Sequence, residues 1–418
     1  MAERLAGWSG IERRNFTANV MDGALYAFGL SFMSQQTVFP IFVRNIGGGN
    51  IAVGLIPVVW TFGYNASQMF IVSRAQKARR KKALFLKTAM GQRIPWLFLA
   101  LMTFFIVPRV NTTAALVVVF LGWGLASVGS GFNLPVWFDL IALVTPVRRR
   151  GRLFAARNVL GAVLGIVGGA TAALVLGAVD FPANFALLTA LAFLMMMVSY
   201  TFLTRIVEPI VTPGPPSPHA QSWRTVVGEL LGAEQRFRRF LVGDALQITA
   251  GIANGFLTVY AFERFHLSDA YAGSFTMVMM AGTIAGSLVF GVLADRFGHK
   301  VNMLISAGST LLACVIALTA ATVPWYSVVF VLASWSITLT GISRLPLIAE
   351  LCTPAQRPSY VAVTNLLTAP FVLMGIIAGW LVDSMGFTAL FLFAGTVAAA
   401  SCIWWYAMVE EPRLRKDH

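Results

Sequence analysis

The 418 residues are 57% hydrophobic, only 11% charged and carry a net charge of +14. Their mean hydropathy is +0.75, whereas ordinary soluble domains are about a quarter charged. That balance excludes a soluble globular protein. At about 20 apolar residues per crossing, it describes an integral membrane protein of roughly a dozen spans with no large soluble domain.

The first apolar stretch, 18–43, carries Asp22, Tyr26, Gln35 and Gln36. It starts too late and runs too long for a cleavable signal peptide. The second, 51–73, ends in the basic string SRAQKARRKK at 73–82. In the third, 83–107, Lys87 sits where its stem can snorkel to the interface, and Gly91, Gln92 and Arg93 form a polar run near the middle. The fourth, 113–144, holds Trp123, Asn133, Trp137 and Asp139; the fifth, 155–179, is rich in glycine over 161–169; the sixth is 184–205. Then the character changes. PGPPSPH at 213–219 prevents a continuous helix, and 223–240 reads as a charged amphipathic helix suited to the membrane face. Six more stretches follow at 239–262, 270–293, 301–322, 325–349, 360–382 and 386–408. The seventh carries Asp244, Gln247 and Asn254; the tenth carries Trp335 and Arg344 and ends at Glu350. The expected organisation is a six-helix half over 1–205, a cytoplasmic linker over 206–238 and a second six-helix half over 239–418.

Basic residues in a membrane protein are first of all a topology signal. Tails and loops of one side hold 23 Lys and Arg, and those of the other only Arg44, Arg109 and Arg264. The bias places both termini in the cytoplasm of a multi-pass protein of the cytoplasmic (inner) membrane, and no nucleic-acid partner is expected. Cys314, Cys352 and Cys402 lie in apolar settings and read as packing residues rather than a disulfide framework or metal site. The sequence has no GxxxxGK[ST], HExxH, GxSxG or CxxC string, so neither ATP use nor an enzyme is indicated. No cofactor or metal is expected.

Matching residues recur at matching points of the two halves. The fourth span ends LPVWFDLIALVTPVRR from Leu134 and the tenth LPLIAELCTPAQR from Leu345, so Asp139 corresponds to Glu350. Asp22 aligns with Asp244, Gly29 with Gly251, and the pair Val53, Gly54 with Ala272, Gly273. Between the eighth and ninth spans stands GVLADRFGHK at 291–300. Gly291 admits a neighbouring helix, Gly298 permits a left-handed turn, Asp295 can face a helix N-terminus, and Arg296, His299 and Lys300 keep the turn in water. Through Gly291, Asp295, Arg296, Gly298, His299 and Lys300 the string resembles the signature loop of the major facilitator superfamily of transporters. The first-half counterpart at 73–82 keeps the basic cluster but lacks the glycines and the aspartate.

The resemblance implies an all-α membrane protein of twelve transmembrane helices in two pseudo-symmetric halves, which rock about a central site to give alternating access. It also implies that spans one, four, seven and ten line the cavity, presenting Tyr26, Gln35, Gln36, Trp123, Asn133, Trp137, Gln247, Asn254, Trp335 and Arg344. An ionisable residue at membrane depth costs about 2.5–3.5 kcal/mol on insertion scales and marks function or a structural pairing. Arg93, beside Gln92, is the sharpest substrate-binding candidate, against a helix-to-helix pairing. Asp22 and Asp244 are the candidate proton carriers, against a plain helix-dipole role. From the resemblance, Asp139, Asp295, Arg296, His299, Lys300 and Glu350 form a cytoplasmic gate, with Arg79, Arg80 or Lys81 as partners for Asp139 and Arg296 or Lys300 for Glu350. The glycines of 161–169 are similar to a stretch of the family's exchangers, but Ile166 stands in the proline's place, and close helix packing is the plainer reading. The leading expectation is a monomeric, proton-coupled secondary active transporter of a small organic solute, exporting it. The alternatives are a nutrient or sugar-type importer of the same fold, or a non-transporting membrane sensor or scaffold.

Overall fold

The computed structural model describes residues 9–78, 80–209, 232, 235–353 and 356–411, and all the regular structure among them is helical. The linker motif at 213–219, most of 223–240, Arg79 and the tail from 412 lie outside the described residues, as does the Asp295 side chain. The helices are α1 Gly10–Phe32, α2 Val38–Asn45, α3 Asn50–Lys77, α4 Lys81–Phe105, α5 Thr112–Val144, α6 Val147–Ala178 and α7 Ala183–Thr204. They continue with α8 Gln235–Ala250, α9 Leu257–Phe265, α10 Ala270–Phe297, α11 His299–Thr319, α12 Val323–Glu350, α13 Arg357–Val372 and α14 Met374–Ala407. Among the described residues nine helical stretches are long and apolar enough to cross a membrane. The chain is a multi-pass membrane protein.

Helix α1 begins on a capping box: the Glu12 amide donates to Ser9 Oγ at 3.2 Å and the Ser9 amide to Glu12 Oε2 at 3.0 Å, so two orphan donors of the first turn are satisfied. The bond from the Ser9 amide, aided by the Arg149 charge, holds the Glu12 carboxyl below its ordinary value. The first apolar stretch, expected to be continuous, is broken. Four polar residues, Ser34 to Thr37, run as turns between α1 and α2, and the Ser34 carbonyl accepts the amides of Thr37, Val38 and Phe39 at 3.3, 3.1 and 2.9 Å. The stretch 239–262 breaks as well, where a 3-10 turn over Gly251–Gly255 separates α8 from α9. Glycines at both ends weaken the α-helix there. A third break follows Pro370, whose ring cannot donate to the ladder, and α14 itself bends at Gly386, with φ of 82°.

The chain divides into two compact units, one holding the described residues of 1–47, 59–217 and 268–277, the other those of 48–58, 218–267 and 278–418. In unit one, α1 packs on α6 and α7, and α4 on α5 and α7. In unit two, α11 packs on α12 and α14, and α14 also on α8. The first turns of α10 belong to unit one and those of α3 to unit two. Glycine makes both fits: a Cβ on Gly273 would overlap the Ala173 backbone, and one on Gly54 would overlap the Gly375 carbonyl. Each fit is closed by an amide–carboxylate bond. In unit one Asn45 donates to Asp269, whose carboxyl is raised above its ordinary value by burial, less what the Asn45 bond takes back. In unit two Asn50 Nδ2 donates to Asp383 Oδ1 at 2.6 Å.

Two further helix starts are capped by carboxylates distant in sequence, a favourable placement against the helix dipole. Glu208 accepts the amides of Lys81 and Lys82 at 2.7 and 3.2 Å at the start of α4, and Glu411 accepts that of Lys300 at 3.0 Å at the start of α11. In sequence each is followed by proline, Glu208-Pro209 and Glu411-Pro412. This is a repeat that the comparison of spans passes over.

The glycine crossings generate a stability prediction. Gly54→Val and Gly273→Val are each expected to cost about 1–3 kcal/mol or more through overpacking, lowering the Tm of purified protein in detergent. Gly341→Val, whose Cβ meets nothing within 4 Å, is expected to leave it near wild type.

Candidate functional site

In unit one, Asp22 lies midway along α1 and is only 4% exposed. A lone carboxylate there would carry a desolvation penalty of several kcal/mol, and three donors answer it. Arg93 Nη2 (3.2 Å) and Ser199 Oγ (2.7 Å) donate to Oδ1, and Arg157 Nη1 (3.3 Å) to Oδ2. The four residues come from α1, α4, α6 and α7, so the cluster ties together the helices that pack around α1.

Arg93 is 1% exposed and all three of its nitrogens are engaged. Nε donates to the Met196 carbonyl at 2.8 Å, Nη1 to the Ala89 carbonyl at 2.9 Å, and Nη2 to Asp22 and to Ser199 at 2.9 Å. Its Cζ also lies 5.4 and 5.6 Å from the rings of Tyr26 and Tyr200, within cation–π range. In this structure the guanidinium of Arg93, singled out as the substrate contact, is buried and spends its donors on protein partners. Arg157 differs. Its Nη1 donates to the Asn19 carbonyl at 2.8 Å and to Asp22, and its Cζ lies 4.8 Å from the Trp137 ring. Gly23 leaves room for it, since a Cβ there would overlap the guanidinium.

Several amides expected along the cavity are joined to one another. Thr88 donates to Asn133 Oδ1 at 2.9 Å, Asn133 Nδ2 to Gln92 Oε1 at 2.9 Å, and Gln92 Nε2 to the Tyr26 hydroxyl at 2.7 Å and Ser130 at 3.1 Å. This chain links α1, α4 and α5. Gln35 and Gln36 sit in the turn between α1 and α2. Trp123 is core, with ring centroids 4.1 Å from Phe39 and 4.6 Å from Trp60.

In unit two, Asp244 on α8 is fully buried. Arg344 of α12 reaches it with Nε at 3.0 and 2.9 Å and with Nη2 at 2.8 Å. The rest of that guanidinium is used on α13, Nη1 on Asn365 Oδ1 at 3.0 Å and Nη2 on Thr368 at 3.2 Å. Gln247 donates to Ser306 at 2.7 Å and accepts from Ser401 at 3.2 Å, and Trp335 Nε1 donates to the Gly282 carbonyl at 3.0 Å. Asn254 falls in the 3-10 turn between α8 and α9.

Among the loop residues, Lys81 Nζ donates to Asp139 at 2.6 Å, with the Asp139 side chain 41% exposed. Such exposed pairs contribute roughly 0–1 kcal/mol. Lys300 turns to the end of the chain, its Nζ to the Tyr406 carbonyl at 3.0 Å and its amide to Glu411. Arg296 lies over the Phe297 ring, and His299 is buried against Ser343. Glu350 ends α12.

Arg157, Ser199, Asn365 and Thr368 are the cluster members that sequence reasoning passed over. Arg157 stands two residues into the apolar stretch and reads as interfacial, but α6 begins at Val147 and carries it about three turns inside. For the hydroxyls of Ser199 and Thr368 no sequence signal exists. Unit one also holds a cavity of about 410 Å³, bordered by Glu12, Asn15, Thr145, Arg150 and Val207 among others, which includes none of the acid–guanidinium residues. Among the described residues no group of three or more His, Cys, Asp or Glu could hold a metal.

Residues 240–418 match the family model described as Major Facilitator Superfamily. The match covers the C-terminal part of the chain, and over that part the chain is similar to the major facilitator superfamily. The whole chain also has the fold of solved transporters. A POT family transporter in complex with 5-aminolevulinic acid superposes with a TM-score of 0.72 at 14% identity, covering 96% of this chain and 97% of that one. The D-xylose-proton symporter gives 0.69 at 14% identity, with 98% and 100% covered. The nucleoside transporter NupG gives 0.66 at 16% identity, with 96% and 98% covered. No curated protein matches the chain by sequence. At such identities the likeness is one of fold alone.

The two centres respond differently to truncation. Arg344→Met strands the buried Asp244 and is expected to destabilise the protein by about 3–5 kcal/mol. Arg157→Met leaves Asp22 on Arg93 and Ser199 and is expected to cost about 1–2 kcal/mol. Thermal unfolding of the two variants in detergent measures the difference, and Asp244→Leu added to Arg344→Met is expected to recover part of the larger loss.

Proposed function

We propose that the protein is a secondary active transporter that moves a small organic solute across the cytoplasmic membrane by alternating access, coupled to protons. The observation that carries this reading is the presence of two buried acid–guanidinium centres, Asp22 with Arg93 and Arg157, and Asp244 with Arg344. Each acid lies on the first helix of its half, Asp22 ten residues and Asp244 six residues before that helix ends and the span breaks. Ionisable groups at membrane depth are costly and mark substrate or proton pathways, and broken helices beside them are a recurring construction of transporter sites. A carboxylate that exchanges a guanidinium for a proton couples flux to a pH gradient without any cofactor. Proteins of similar fold carry nucleosides or D-xylose with protons by their names, which supports a small polar organic solute as the class.

Twelve crossings in two halves fit the helices when α1 with α2, α8 with α9, and α13 with the part of α14 before Gly386 each count as one broken span, and the part of α14 after Gly386 counts as the last. The excess of basic residues on one side supports cytoplasmic termini. Asp139 with Lys81, and Asp295, Arg296, His299, Lys300 and Glu350 at the ends of α10 to α12, are proposed as the cytoplasmic gate of a monomer. Export is the proposed direction.

Flux in proteoliposomes tests the reading. With a panel of nucleosides, sugars, peptides and organic acids, at least one solute is expected to move, severalfold faster under a pH gradient. Asp22→Asn or Asp244→Asn is expected to abolish that acceleration while folded protein still exchanges solute down its own gradient. Absence of flux across the panel, with or without the gradient, would contradict the proposal.

A further inference from the structure

We infer that Arg157 binds an anionic group, a carboxylate or a phosphate, on the transported solute; the inference rests on the transporter reading above and names its substrate class. Three arginines stand in the two buried centres, and they are not equivalent. A guanidinium has five N–H donors on three nitrogens. Arg93 and Arg344 engage all three nitrogens. Arg157 engages only Nη1. Its Nε and Nη2 carry three N–H donors, two of them along one edge of the fork, and have no partner among the described residues. The side chain is 16% exposed, against 2% for Arg93.

That open edge is the side-on geometry by which a guanidinium takes a carboxylate or phosphate through two parallel bonds. The two nitrogens are not among the buried unpartnered side-chain atoms, so the edge reaches accessible space from which an acceptor-bearing ligand can approach it. Charge points the same way. Unit two sets one carboxylate against one guanidinium, whereas unit one sets Asp22 against both Arg93 and Arg157. One positive charge is therefore in excess, and it falls on the more exposed arginine. A second donor waits beside it: Trp137, whose ring lies 4.8 Å from Arg157 Cζ, has a buried Nε1 with no acceptor among the described residues. Gly23 keeps the guanidinium in place against α1, since any side chain there would displace it. An anion seated on Nε and Nη2 leaves Asp22 on Arg93 and Ser199, so the packing of α1, α4 and α7 is undisturbed.

The test compares matched anionic and neutral probes on the purified full chain in detergent: benzoate against benzamide, succinate against succinamide, and inorganic phosphate. Binding is read by thermal shift and tryptophan fluorescence. At least one anion is expected to bind about tenfold or more tightly than its neutral counterpart, the worth of a charge-assisted bidentate contact. Arg157→Gln is expected to abolish that preference, and Trp137→Phe to weaken anion binding severalfold. Should Arg157→Gln fail to fold, Arg157→Lys carries the test. It keeps the charge but not the fork and is expected to weaken binding about fivefold or more. Anions that bind no better than their amides, or a preference that survives loss of the Arg157 fork, would overturn the inference. Arg157-independent flux of a neutral solute would overturn it while leaving the transporter reading intact.

Discussion

A charge inside an apolar, lipid-facing bundle has to be answered by another charge, and that constraint organises both units. Asp22 and Asp244 are buried, and the neighbouring helices supply guanidinium groups at hydrogen-bonding distance. In meeting that demand the partners fix the rotation and register of α4 and α6 against α1, and of α12 against α8. Hydrophobic packing alone would specify these less sharply, because lipid tails are as apolar as the leucines they touch. Glycine supplies the complementary device, letting backbones approach at Gly54 and Gly273 where no side chain would fit.

The two centres use the same parts to different ends. In unit two the account closes within the protein, since Arg344 spends every nitrogen on Asp244, Asn365 and Thr368. In unit one a second arginine leaves donors and charge unspent. The breaks between α1 and α2, and between α8 and α9, follow on the same spans as the acids and provide turn and 3-10 segments of the sort found at hinges.

Much of this could be read in the sequence because hydropathy runs, acids and glycines leave marks that survive without coordinates. The apolar stretches, the correspondence of Asp22 with Asp244 and of Gly54 with Gly273, and the loop at 291–300 are of that kind. The continuity of the first and seventh spans was not legible, since Ser34 to Thr37 and Gly251 to Gly255 are short interruptions in long apolar runs. Nor were the partnerships. Which way a helix turns its polar residues depends on its neighbours, and so Arg93 looks like the substrate contact while its donors close on Met196, Ala89, Asp22 and Ser199. Arg157 was hidden because α6 begins two turns before its apolar stretch does. The Glu208 and Glu411 caps were hidden because their targets, the amides of Lys81 and Lys300, lie more than a hundred residues away.

A cryo-electron microscopy structure of the protein in lipid nanodiscs, at a resolution that shows side chains, tests the central claim most directly. The account predicts Asp22 held by Arg93 and Arg157 together, with the Nε and Nη2 edge of Arg157 open, and Asp244 held by Arg344 alone. A structure in which Arg157 leaves Asp22 for the lipid headgroups, or in which Asp244 and Arg344 stand apart in the apolar interior, would contradict it.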